Sequence, residues 1–317
     1  MITFNLSLIS KYRTPLMGIA TICILLTHAP AYDIILPFHM NAVLTAAAIG
    51  VMVFFFVSGI GLYYSLDSLH FSNNNIIDWY KKRFIRLFIP YLIIYVPYYI
   101  LLSYDKNLGV GTFLFDISTL SFWFGHRTCW FINMLVPLYI LSPLWYKILK
   151  KIRFPIIPTI IIVSLCLQQN GYWIQASTFF IGFWAAKYIK GEYSLQIYHI
   201  LYLLIFTLIS LFLYYKYDIG YLLLDLLIPF IMINCTILNK IRAPFIHKIL
   251  VFFGKISLES YLFNVTLYYW ITYFELLPDK MFRFRYLFIV IFGIFFSYIV
   301  NAVSNPLMNR NKISSKQ

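Results

Sequence analysis

The chain alternates long apolar runs with short polar connections, and the runs are about 20 residues long, the length at which a helix crosses the hydrocarbon core of a bilayer. The first reaches from Leu16 to Phe38 and the second from Ala42 to Leu66. Eight more are predicted at Phe84–Tyr104, Cys129–Trp145, Phe154–Leu167, Ile174–Ile189, Leu195–Tyr215, Ile219–Leu238, Ser257–Phe274 and Tyr286–Val303. Barrel strands would show as alternating segments of about 10 residues, so the pattern selects helices. The expected fold is all-α, a polytopic transmembrane helix bundle of about ten spans, forming one integral membrane domain over residues 1–317. Between Asp105 and Arg127 lies a Phe- and Trp-rich segment too interrupted to span, read as an interfacial or re-entrant piece.

Composition strengthens this reading. Hydrophobic residues make up 62% of the chain and charged residues 11%, with a mean hydropathy of +0.79; a soluble domain carries about a quarter charged residues. The formal charge of +14 sits in the connections, where membrane orientation explains it, so nucleic acid is not an expected partner. Assigning alternate connections to the cytoplasm puts 19 of the 25 Lys and Arg inside, which predicts that both termini are cytoplasmic and the chain is a multi-pass protein of the cell membrane. Lys280, Arg283 and Arg285 fall on the outer side in this layout. Cys23, Cys129, Cys166 and Cys235 form no C-x-x-C pair, so neither a metal site nor a disulfide framework is expected. The first span is too long for a signal-peptide core and lacks a small-residue cleavage site after it.

Against this apolar background His28 stands out, because an ionisable group inside a membrane span is costly and by default a functional-site candidate. At about 1.5 Å per residue it lies roughly 20 Å beyond Pro15, nearer the outer face. Thr14, Gly18, Thr21 and Leu25 share a helical stripe in the same span, a narrow face that admits another helix. The second span carries a comparable stripe of Ala47, Gly50, Phe54, Ser58, Gly61 and Ser65, with Ser58 and Gly59 read as structural. Arg83 and Arg86, at i and i+3, share a helix face with Pro90 at the cytoplasmic entrance of the third span. Two planar guanidinium forks there suit phosphate, whereas Lys81 and Lys82 read as topology signals. Glu259 has the spacing to pair with Lys255; Asp225 is a candidate to orient His28 or an arginine, and Asn264, Asn301 and Asn305 read as interhelical hydrogen-bonding groups.

With those residues in view, the chain resembles the acyltransferase-3 family of integral membrane acyltransferases, which includes O-acetyltransferases of cell-surface sugars. The resemblance rests on Met17 to Ala20 leading to His28, on Phe55 to Leu62, on Lys82 to Leu92, on Trp130 to Pro143, on the surroundings of Gly182, and on Gly254 to Leu262. Three positions depart from the family pattern: Met17 where many members carry arginine, with Arg13 one turn earlier; Met52 in place of a frequent acid; and Asn264 in place of a common histidine. The resemblance implies acyl transfer, usually of acetyl from cytoplasmic acetyl-CoA, to a hydroxyl of a cell-surface or lipid-linked glycan. Arg83 and Arg86 would then hold the anionic donor and His28 would carry the chemistry, either deprotonating a hydroxyl or accepting the acyl group. The rival reading is a transporter or flippase in which His28 relays protons.

Overall fold

The computed structural model describes residues 3–32, 40–69, 73–125, 129–169, 171–196, 198–199, 201–202, 205, 219–241, 243–273, 275 and 284–313. Arg127, Lys280, Arg283 and most of the seventh expected span, Leu195–Tyr215, lie outside the described residues. The elements run β1 (Thr3–Asn5), α1 (Ser7–Lys11), α2 (Arg13–His28), α3 (Met40–Ala46), α4 (Ile49–Asp67), α5 (Asn73–Asp105), α6 (Val110–Ile117), α7 (Trp130–Lys151), α8 (Ile156–Gln168) and α9 (Tyr172–Lys190). They continue with β2 (Ser194–Gln196), α10 (Ile219–Lys240), α11 (Pro244–Lys255), α12 (Ser257–Tyr273) and α13 (Arg285–Ile313). The chain divides into two units, one built from Met1–Pro30, Ile35–Ser68 and Ser142–Lys255, the other from Ala31–Ile34, Leu69–Leu141 and Ile256–Gln317.

Helices dominate, as the apolar runs require. Among the described residues five are long and apolar enough to cross a membrane: Asn41–Asp67, Asn75–Asp105, Trp130–Lys151, Leu223–Lys240 and Arg285–Asn305. A sixth is reached if Pro244–Lys255 and Ser257–Ile271 are one broken span. The difference from the expected ten has three sources: α2 and α8 are apolar but only 16 and 13 residues long, under the roughly 20 that a bilayer core demands, α9 is not among the qualifying helices, and most of the seventh expected span lies outside the described residues.

The first expected span is corrected in extent. Its helix ends at His28, and Ala29–Tyr32 continue as a 3-10 turn. Pro30 explains the stop: its ring has no N–H to donate and disfavours helical geometry in the residue before it. The third span is longer than read, a 33-residue helix that carries Lys81, Lys82, Arg83 and Arg86 on its own first turns rather than in a loop. The Asp105–Arg127 segment contains α6 and a 3-10 turn, Ser121–Phe124, both too short to cross a membrane. The helix α11 was not expected at all.

In the first unit, glycines set the packing. A Cβ on Gly18 of α2 would overlap the Leu250 carbonyl of α11, and one on Gly254 of α11 would overlap the Thr14 carbonyl of α2. The Thr14–Gly18–Thr21 stripe thus does admit another helix, and Thr21 Oγ1 spans the seam from the Met17 carbonyl (2.9 Å) to that of Phe253 (3.5 Å). The same reciprocity joins α4 to α9: a Cβ on Gly59 would overlap the Phe179 carbonyl, and one on Gly182 the Phe56 carbonyl. Backbones this close gain dispersion contacts that larger residues would block, which is how helices associate where water cannot drive them together.

Several helix ends of this unit are tied together. Asp67, last residue of α4, accepts hydrogen bonds from Tyr146 Oη (2.6 Å) and Lys190 Nζ (2.5 Å) and pairs with Lys150 Nζ (2.9 Å). The C-terminal ends of α4, α7 and α9 therefore meet. β1 pairs antiparallel with β2 just beyond α9, and Lys11 Nζ and Tyr12 Oη both donate to Asn239 Oδ1 near the end of α10 (3.2 and 3.1 Å). The start of α2 and the ends of α4, α7, α9 and α10 thus share one side of the unit.

The second unit packs differently, around rings. Along α5, Tyr80, Phe84 and Phe88 stack in sequence at centroid separations of 6.0 and 5.8 Å, and Tyr91 and Tyr95 stack at 5.0 Å. Tyr98 meets Tyr269 of α12 edge-on at 5.3 Å, and Phe131 of α7 lies 4.8 Å from Tyr261. Gly293 gives α12 and α13 only ordinary contact with Leu267 and Phe263.

Candidate functional site

The sequence-derived candidates are divided between the units: His28 and Asp225 in the first, Arg83, Arg86 and Glu259 in the second. His28 closes α2, so the glycine seam with α11 and the contact of Ala20 with Gly50 hold the helix that carries it. Its ring is half-buried and its Nδ1 is shielded from solvent. Arg13 opens the same helix, roughly 22 Å away at 1.5 Å per residue, with its guanidinium beside Gly61. It therefore does not stand at the histidine. Met52, at the position of the family's frequent acid, is fully buried, and its carbonyl accepts a hydrogen bond from Thr178 Oγ1 at 3.1 Å. Asp225 lies half-buried on α10.

A cavity of about 140 Å³ in the first unit is lined by Ile19, Asn234, Ile237, His247 and Leu250 among others. Ile19 is nine residues from His28, roughly 14 Å along the helix. The volume is below the roughly 300 Å³ at which ligand pockets begin. It is a packing gap beside the seam rather than a reaction chamber.

In the second unit Arg83 and Arg86 occupy one turn of α5, which holds them on a rigid element. Arg83 is half-buried, its Nε shielded and its Cζ 5.8 Å from the ring centre of buried Trp79. A guanidinium over an indole face gains cation–π attraction and a fixed orientation. Arg86 is the more exposed of the two. Its charge acts on Glu259 of α12, a carboxylate only 4% exposed. The helix break at Ile256 separates Lys255 from Glu259, so their i,i+4 pairing is not what holds the acid. Instead Asn301 Nδ2 of α13 donates to Glu259 Oε1 at 3.1 Å, and Asn305 Nδ2 donates to Asn301 Oδ1 at 2.8 Å. The interhelical role read for Asn301 is thus observed, and buried Asn264 faces Tyr286 across the same helix pair.

What the arrangement offers chemically is an imidazole at a helix end in one unit, and in the other a pair of cations on one helix turn with a carboxylate beyond them. Among the described residues no three His, Cys, Asp or Glu side chains gather as a metal site. Sequence reading missed the buried polar side chains of the second unit: Tyr91, Tyr95 and Tyr99 on α5, Asp116 at the end of α6, Ser121, and Asn133 on α7 are all 7% exposed or less. The i, i+4, i+8 spacing of the tyrosines was the available signal, but the approach of Asp116 and Cys129 to Tyr91 and Tyr99 is tertiary.

A family model described as an acyltransferase domain matches residues 16–302 of the chain. No curated protein and no solved structure matches it.

Proposed function

The chain belongs to the acyltransferase-3 family, and from that premise we propose that this membrane acyltransferase moves an acetyl group from cytoplasmic acetyl-CoA to a hydroxyl of a cell-surface or lipid-linked polysaccharide. The observation that carries the reading is a family match running over nearly the whole chain, 16–302, with His28, Arg83 and Arg86 all inside it. His28 supplies the chemistry: an imidazole can take the proton of an acceptor hydroxyl or hold the acyl group in passing. Arg83 and Arg86 hold the phosphates of the donor, since guanidinium forks match phosphate oxygens and stay charged. Arg83 is the better fixed of the two by its contact with Trp79, whereas Arg86 divides its charge with Glu259. The membrane is the cell membrane, with the donor side cytoplasmic.

The test is transfer of label from radiolabelled acetyl-CoA to cell-envelope glycans by membranes containing the protein. Label in the glycan supports the reading, and Arg86→Gln then raises the acetyl-CoA KM with the acceptor KM unchanged. Uptake of solute without transfer from any acyl donor would instead make the protein a transporter. An Arg86→Gln effect confined to the acceptor would overturn the donor assignment.

A further inference from the structure

We propose that the gap between α10 and α11 in the first unit seats one tail of an anionic phospholipid, with the headgroup phosphate held at its rim by Lys11 and His247. The site is independent of acyl transfer. Ile19, Ile237, Leu238, Ile241, Ile246 and Leu250 make the wall of the gap apolar, and its volume of about 140 Å³ takes a few methylenes of a lipid tail. It is open at the side: Ile237, Ile241 and Ile246 are 45, 52 and 49% exposed, and in a bilayer such side chains meet lipid. A notch in a lipid-facing wall does not stay empty, because atoms lining a void forfeit dispersion contacts that a flexible tail restores.

What selects the headgroup is the polar cluster on the same rim. Lys11 Nζ and Tyr12 Oη both donate to Asn239 Oδ1, at 3.2 and 3.1 Å. Tyr12 also gathers the cationic and imidazole groups: Lys11 Nζ lies 4.9 Å from its ring centre, and the His247 ring, which lines the gap, meets it edge-on at 6.3 Å. Tyr12 is 7% exposed and gives the cluster a fixed base, whereas Lys11, Asn239 and His247 are exposed. The bond to Asn239 places the Lys11 ammonium at the gap, which a lysine that only marks topology would not need.

The charge around the gap has one sign. Residues 1–32 and 226–258 supply the whole lining and the whole cluster. They contain Lys11, Arg13, Lys240, Arg242, Lys248 and Lys255 and no Asp or Glu. A phosphodiester therefore meets donors and positive charge with no acid of these stretches to oppose it, as in other basic pockets between membrane helices. A zwitterionic headgroup brings its own cation to the same place and gains less. Bound there, the lipid touches α2, α10 and α11 together and braces the glycine seam between α2 and α11.

The test is the melting temperature of the purified full chain in a neutral detergent, with dioleoylphosphatidylglycerol or dioleoylphosphatidylcholine added. Wild type, Lys11→Gln, Ala243→Leu and Lys151→Gln are each compared with their own lipid-free value. Phosphatidylglycerol should raise the wild-type value by about 3 °C or more, and phosphatidylcholine by clearly less. Lys11→Gln removes the charge at the rim and Ala243→Leu fills the gap, so each should lose at least half of that preference. Lys151, an exposed cation at the end of α7, lines no part of the gap, and Lys151→Gln should keep the preference. Equal shifts with the two lipids in wild type, or a preference undiminished in Lys11→Gln or in Ala243→Leu, would overturn the proposal. So would a loss in Lys151→Gln as large as in Lys11→Gln, which would reduce the effect to net surface charge.

Discussion

The two units solve the problem of cohering in lipid by different means. The first brings backbones together at paired glycines, Gly18 with Gly254 and Gly59 with Gly182, and returns buried hydroxyls such as Thr21, Ser177 and Thr178 to helix carbonyls. The second stacks rings along α5 and keeps Glu259, Asp116, Tyr95, Tyr99 and Ser121 inside it. Close backbone packing leaves little freedom, which suits a scaffold that must hold the helix ending in His28. The lesson is that the helix ending in His28 belongs to the glycine-packed unit, while Arg83, Arg86 and Glu259 belong to the ring-packed one.

That contrast can be broken most readily at the paired glycines. Gly59→Ala or Gly182→Ala, each forcing a Cβ into a carbonyl across the α4–α9 seam, should lower stability by about 1–3 kcal/mol, read as a fall in melting temperature in detergent. A variant as stable as wild type would mean the seam is looser than drawn. Next in size is the tie at Asp67, whose carboxylate is 15% exposed while Lys150 and Lys190 are about half exposed. Asp67→Asn keeps the bond from Tyr146 but removes the charge shared by three helix ends, and should cost roughly 1–2 kcal/mol, between exposed and buried ion pairs. The loss should shrink in high salt, and a loss indifferent to salt would argue against the ion pairs.

In the second unit the balance should tilt the other way. Glu259→Gln keeps an acceptor for Asn301 while discharging a buried group, so stability should change by less than about 1 kcal/mol in either direction; a large loss in a melting scan would make the acid structural. The smallest effect is expected at Gly61, where a Cβ has 3.6 Å of room beside Arg13. Gly61→Ala should leave stability unchanged or raise it by up to about 1 kcal/mol through helix propensity. A loss as large as that of Gly59→Ala, two residues away, would undo the distinction between seam and surface on α4.

Much of this was legible in the sequence and some was not, for reasons that differ by residue. Apolar runs near 20 residues located the long helices, and small residues at helical spacing located the Gly18 and Gly50 faces, because both are periodic properties of a single segment. The stop at His28 was hidden by hydropathy that continues to Phe38, although Pro30 was in view. Helix α11 escaped because Lys248 and Lys255 dilute its apolar face in any long window. The partner of Glu259 was misread because i,i+4 spacing presumes an unbroken helix, and the break at Ile256 has no strong sequence mark. Arg83 and Arg86 were found as a pair, yet which of them is held by an aromatic neighbour is decided by Trp79 in three dimensions.

The central claim, that His28 performs acyl transfer from a helix end held rigid by glycine seams, is tested most directly by one comparison. Label transfer from saturating acetyl-CoA to glycan is measured for purified wild type and His28→Ala of matched melting temperature. Loss of a general base or acyl carrier predicts a fall in rate of roughly a hundredfold or more. A variant that transfers label at the wild-type rate would contradict the account.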